Sequence, residues 1–220
     1  MKKILSHLWC AALLALACTA CDSSSAEEPQ PQIEPTGVSF VRNYVTINKL
    51  VLHTIFPFGH LAVYTDRFNE EFDSSEESHR TYAEQHDDRY YDGPETERVS
   101  DVLGKTVCKV SAVTEDDYNP HYPAGSSLDE IIRINVQTYA PFVRSKCRDQ
   151  ALRDNQYVYK RLYDLTPEEG ALWRPQSIAF FLDEFPQVSA EPRTIELTFL
   201  FDDGTELKSK IHLYGNDEIL

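Results

Sequence analysis

The chain has 220 residues and carries 36 acidic against 21 basic side chains, a net charge of −15 at pH 7. That balance excludes nucleic acid as a partner, because phosphate binding needs a basic face, and it disfavours direct adhesion to anionic headgroups. Residues 38–220 are long enough for one domain with its own core, and no internal repeat is visible.

Lys2 and Lys3 precede Ile4–Ala17, a run of 14 mostly apolar residues. A basic start, a short apolar run and small residues at its exit form a secretory signal. The run is too short to cross a bilayer, which takes about 20 apolar residues. Residues 1–20 are therefore expected to be a signal peptide, whose removal takes two lysines and no acid and moves the charge from −15 to −17. The exit, "LACTAC", resembles the end of a bacterial lipoprotein signal: an aliphatic residue, two small residues, then the cysteine that is acylated. Cys21 follows Thr19 and Ala20 but has Cys18 at the aliphatic place; Cys18 follows Ala17 but has Leu16 at a small place. Cys21 is the expected lipidation site, with Cys18, or plain cleavage after Ala20, as the alternatives. "DSSSAEEPQPQIEPTG" then has too little apolar surface to order itself, so residues 21–37 read as a lipidated tether. Asp22, Glu27 and Glu28 resemble the export signals of lipoproteins displayed on the outer face of the outer membrane; a plain soluble linker has the same composition.

Strands dominate the body. "NKLVLHTIFPF" is apolar on both faces, as an interior strand is, and places His53 as a packed core residue. In "KTVCKVSAVT", Cys108, Val110 and Ala112 share one face, a period of two. "IIRINVQTY" turns Ile132, Ile134 and Val136 inward. "SIAFFLDEF" reads as a second interior strand. "TIELTFLF" aligns Ile195, Leu197, Phe199 and Phe201; Asp203-Gly204 follows, then "ELKSKIHLY" aligns Leu207, Ile211 and Leu213, the clearest hairpin in the chain.

Helical signals are short. Thr166, Pro167 and Glu169 make a capping box that Gly170 soon stops, and Ser127 with Glu130 offers another. "RSKCRDQALRDNQYVYKRLY" is the one candidate for a longer helix. These elements predict a mainly β body, an antiparallel β-sandwich, Ig-like or related, with a few short helices, as a single domain over 38–220.

Cys108 and Cys147 remain in the body after export. Two cysteines in an oxidising compartment predict a disulfide, which across a loop of about 40 residues would add roughly 4 kcal/mol in the chain-entropy model; the alternatives are two free buried thiols or a metal pair, for which the spacing supplies no two further ligands. No nucleophile elbow, phosphate loop or zinc-protease motif occurs, no catalytic residue is assigned, and no cofactor is expected.

A long acidic loop is expected at about 66–101. Its part "DSSEESHRTYAEQHDDRYYDGPETERVSD", residues 73–101, has no visible period, and loops this long are functional or disordered. As a binding surface it would use Tyr82, Tyr90 and Tyr91 to stack on sugars or peptide side chains, with Asp87 and Asp88 as acceptors. As a metal site it would use His79 and His86 with the same two carboxylates. As a plain solvated excursion it would do neither. His121 and Tyr122 occupy a Pro-bracketed turn in "YNPHYPAG".

"DYNPHYPAGSSLDEI" and "RTIELTFLFDDGTELKSKIHL" are similar to segments of small uncharacterised lipoproteins of Bacteroidetes-type bacteria. The resemblance covers about a third of the chain. It implies a cell-envelope location, as an outer membrane lipoprotein, and carries no catalytic residue. Two functional readings follow. One is a lipid-anchored, non-enzymatic binding or accessory module for a glycan, peptide or envelope protein; the other is a lipid-anchored hydrolase acting on extracellular polymer.

Overall fold

The computed structural model describes residues 33–55, 62–71, 75–154, 156–187 and 191–213, with backbone alone for 50, 53–55 and 62–71. The expected signal peptide, Cys18, Cys21 and the tether before Ile33 lie outside that range, as does the side chain of His53. Residues 33–220 form one compact unit.

Among the described residues the unit is mainly strand, in two sheets, with two α-helices. One sheet runs β3 (Val102–Leu103), β1 (Tyr44–Ile55), β2 (Ala62–Glu71), β7 (Ala179–Leu182), β5 (Ile132–Gln137) and β6 (Tyr157–Arg161), in that spatial order. The other runs β4 (Val107–Thr114), β8 (Arg193–Phe201) and β9 (Glu206–Leu213). Every strand pair is antiparallel except the short contact of β1 with β3. The helices are α1 (Glu76–Gln85) and α2 (Ala140–Arg144).

The period-two readings hold where a strand has one buried face. Ile132, Ile134 and Val136 are buried, as are Ile195, Leu197, Phe199 and Phe201. The β8–β9 turn contains Asp203 and Gly204, whose φ of +81° suits a residue without Cβ. The expected interior strands are interior: β1 lies between β3 and β2, and β7 between β2 and β5. Thr166 and Glu169 form the expected capping box over Pro167–Gly170. Gly170 is needed for packing, because a Cβ there would run into the Val107 carbonyl. Ser127 caps no helix; its hydroxyl accepts the Asp129 amide in a single turn.

Two clusters make the core. The larger joins side chains of both sheets, among them Val110, Ile134, Phe180, Leu197 and Ile211, around the fully buried Trp173. The smaller gathers Phe40, Val41, Tyr44, Tyr91, Phe142 and Cys147 beside α1 and α2.

Three expectations fail here. The Cys108–Cys147 disulfide is not formed, and both thiols are free. A bulge between Val107 and Lys109 makes Cys108 the extra residue of β4, so Val107 rather than Cys108 joins the buried face; Cys147 belongs to the smaller cluster. The longer helix over 144–163 is absent. The chain there passes from α2 through a 3-10 turn into β6, because Tyr157, Val158 and Tyr159 pair with Gln137, Val136 and Asn135 of β5. Finally, 66–101 is not one acidic loop: it begins in β2, contains α1, a 3-10 turn at Glu95–Glu97 and two isolated bridges, and leads into β3.

Candidate functional site

Residues 75–101 form a packed clamp on the strand-like segment that leads into β1. Ser75 caps α1, its hydroxyl accepting the Ser78 amide at 3.1 Å, and Glu76 and Glu77 sit in the first turn where the helix dipole favours acids. The buried side of α1 is a stripe at i, i+3, i+4 and i+7: His79, Tyr82, Ala83 and His86. Three of these rings surround Tyr44, with centroid distances of 5.3 Å to His79, 5.7 Å to Tyr82 and 6.1 Å to His86.

At the centre of the clamp is Asp88, 1% exposed. Its carboxylate accepts the Phe40 amide at 2.7 Å, the Val41 amide at 2.9 Å and the Tyr44 hydroxyl at 2.8 Å. Burial raises its pKa above the usual carboxylate range, and the two amides and the hydroxyl pull against that rise. Burial also lifts the Tyr44 hydroxyl far above its ordinary value, with the Asp88 charge adding to the effect.

The clamp corrects most of the sequence-predicted site. Tyr90 and Tyr91 are buried; Tyr91 packs on Phe40 with centroids 5.3 Å apart, and the Lys146 ammonium lies 4.4 Å from the Tyr90 ring centroid. Neither ring is free to stack on a ligand. Asp88 is committed to main-chain amides, and Asp87, in the left-handed region at φ 54°, forms ion pairs with Lys146 and Arg89. The Lys146 hydrogen bond is the main cause that holds the Asp87 carboxyl below its usual range. His79 Nε2 lies 3.0 Å from the Val41 carbonyl and His86 Nε2 lies 2.7 Å from that of Gly104. Among the described residues no three His, Cys, Asp or Glu side chains converge on a common point, so the expected metal set of His79, His86, Asp87 and Asp88 is not assembled.

Tyr82 lines a surface depression, an open cleft of about 320 Å³ shared with Gln85, Lys105, Asp202 and Asp203. The polar groups of that cleft already satisfy one another. Gln85 Nε2 donates to Asp202 at 2.5 Å. The Lys105 ammonium, 2.6 Å away, holds the Asp203 carboxyl down to about 2.

The exposed aromatic surface lies elsewhere. On β6, Val158 is buried while its neighbours Tyr157 and Tyr159 are 52% and 57% exposed. Strand geometry puts such i, i+2 side chains on one face, about 6.8 Å apart. Opposite them on β5 stand Gln137 and Asn135, and one step along, Arg133 faces both Arg161 of β6 and Phe181 of β7. Tyr159 meets the Phe181 ring edge-on at 6.1 Å, and the Arg133 guanidinium lies 5.9 Å from the Tyr159 centroid. Two-pronged bonds to Asp183, at 2.8 and 2.9 Å, fix that guanidinium. At the other end the exposed Arg174 donates to the Gln137 side-chain oxygen at 3.3 Å. The result is a sheet face of two solvent-facing tyrosines, two amides and three arginines. The signal for it is the Tyr-Val-Tyr alternation: as a helix, Tyr157 and Tyr159 would point about 200° apart, whereas as a strand they align.

No protein-family model matches the chain, and neither does any curated protein or any solved structure.

Proposed function

We propose that this chain is a lipid-tethered, extracytoplasmic binding module with a β-sandwich body, and that the outward face of β5, β6 and β7 binds a glycan. The observation that carries the reading is the pair Tyr157 and Tyr159, more than half exposed on successive outward positions of one strand. Apolar ring faces that stay in water cost free energy unless a ligand covers them. Here they lie beside amide and guanidinium groups that exchange hydrogen bonds with hydroxyls. The reading of the N-terminus as an export signal followed by an acylated cysteine supplies the location. Among the described residues no helix is long and apolar enough to cross a membrane, and a lipid on Cys21 would be the anchor. The hydrolase alternative relied on carboxylates from 73–101, and Asp88 of that segment has no exposed oxygen to offer.

Binding is tested with immobilised neutral and uronic-acid polysaccharides, comparing wild type with Tyr157→Ala and Tyr159→Ala. The expected result is a loss of at least tenfold in affinity for each substitution, with the unfolding midpoint unchanged. Retained binding in the double variant, or no binding by the wild type to any polysaccharide, refutes the glycan face. Location is tested by treating intact host cells with protease, with Cys21→Ala and Cys18→Ala alongside; release of the body from the membrane by Cys21→Ala alone identifies the anchor.

A further inference from the structure

A sheet edge presents unpaired N–H and C=O groups, and soluble proteins blunt such edges with shortness, charge, bulges or covering elements. The two sheets have four edges, and three are blunted in recognisable ways. β3 has two residues. β4 carries the bulge at Cys108, and its far end bridges Ser127. β9 lies against β1 and carries Lys208 and Lys210 between its apolar positions. β6 has no bulge and, among the described residues, no covering strand; its charges are Lys160 and Arg161. It pairs with β5 over all five of its residues without a register shift, contains no proline, and has no other strand partner among the described residues. Its one inward charge, Lys160, is neutralised by Glu169 at 2.6 Å.

We infer that β6 is a dimer edge, pairing antiparallel with β6 of a second copy about a two-fold axis through Tyr159. Three considerations select the second copy and the register. A two-fold antiparallel pairing that keeps both cores on the same side of the joined sheet must place outward residues opposite outward residues, so the axis passes through a residue rather than between two. An axis at Lys160 would set two lysines face to face, which is unfavourable, and an axis at Val158 would leave Lys160 and Arg161 beyond the strand overlap. The axis at Tyr159 overlaps all five residues. It stacks Tyr159 against its own copy, sets Val158 opposite Lys160, and brings Arg161 over Tyr157 of the partner, twice by symmetry. A guanidinium over a tyrosine ring is attractive, and Arg161 is available for it: its nearest carboxylate, Asp183, is 3.7 Å away and is held by Arg133. The strand is therefore complementary to itself in charge, shape and main-chain pattern. Such isologous contacts close into pairs and do not propagate into filaments.

The ladder hydrogen bonds use the main-chain edge, and the tyrosine rings stay on the outward face. The dimer thus carries one continuous row of four tyrosines, and two tethered copies meet a polymer as one bivalent surface. The pairing itself does not depend on what, if anything, that face binds.

The register makes the test specific. Full-length chain is expressed in its host with Tyr159→Cys, with Tyr157→Cys, with Tyr157→Cys and Arg161→Cys copies together, or with the exposed control Tyr163→Cys, and envelopes are run on non-reducing gels. Expected is a disulfide-linked dimer from Tyr159→Cys and from the mixed pair, at least fivefold above the Tyr157→Cys and Tyr163→Cys levels. The wild-type protein, extracted in mild detergent, should sediment as a dimer. Equal crosslinking by all exposed cysteines, or a monomer in detergent at every concentration, overturns the inference. Crosslinking in this pattern together with no binding of any polysaccharide by the wild type refutes the glycan reading alone.

Discussion

Replacing Asp88 with alanine removes the acceptor on which the segment before β1 is hung. The carboxylate has three donors, the Phe40 and Val41 amides and the Tyr44 hydroxyl, all within 2.9 Å. Each buried donor left without a partner costs about 1–3 kcal/mol. Part of that sum is offset, since the variant no longer holds a desolvated charge, and the net loss is about 3 kcal/mol. Against a typical domain stability of about 5–15 kcal/mol, this moves the urea midpoint by about 1 M or more at ordinary m-values. Asp88→Asn keeps one acceptor oxygen but turns an NH2 group toward the remaining donors, so its loss should be intermediate. The measurements are urea unfolding and hydrogen exchange at the Phe40 and Val41 amides, which should lose protection before those of β5 and β8. The pH dependence gives a second check. Burial raises the Asp88 pKa in the folded state above its unfolded value, so the folded state holds that proton more tightly. The stability this group contributes is complete below the unfolded value and is lost as pH rises through the raised one. The difference between wild type and Asp88→Ala should therefore grow on acidification through that range and then level off. A loss under about 1 kcal/mol in Asp88→Ala, or a difference that shrinks on acidification, would refute the reasoning.

Two other outcomes follow from the packing. Gly170→Ala drives a Cβ into the Val107 carbonyl, which a backbone shift at the start of β4 must absorb, and it should cost about 1–3 kcal/mol in thermal or urea unfolding; an alanine variant as stable as the wild type would show that β4 yields freely. Both body thiols are free, and burial pushes Cys147 up to about 12 and raises Cys108. Alkylation of the native protein near pH 8 should therefore be slow at both. In denaturant without reductant, peptide mass spectrometry should find Cys108 and Cys147 each carrying one alkyl group, and a linked peptide pair would restore the disulfide.

How legible the fold was depended on how local its cause is. The faces of β5 and β8 could be read because a strand's period of two shows within six residues, and the Thr166–Glu169 box and the Asp203-Gly204 turn because each closes over a few neighbours. α1 was hidden because its packed stripe is built of His79, Tyr82 and His86, which do not register as apolar. The sequence by itself determined a strand-rich body, its clearest hairpin and a strongly acidic chain with an export-like start. Which tyrosines meet water was decided only in three dimensions. Tyr91 is covered because Phe40, from 51 positions earlier, packs on its ring, and the Cys108 thiol left its expected face because one bulge advanced the pleat. Tyr157 and Tyr159 stand exposed because β6 closes an edge of its sheet and, among the described residues, no element covers their face.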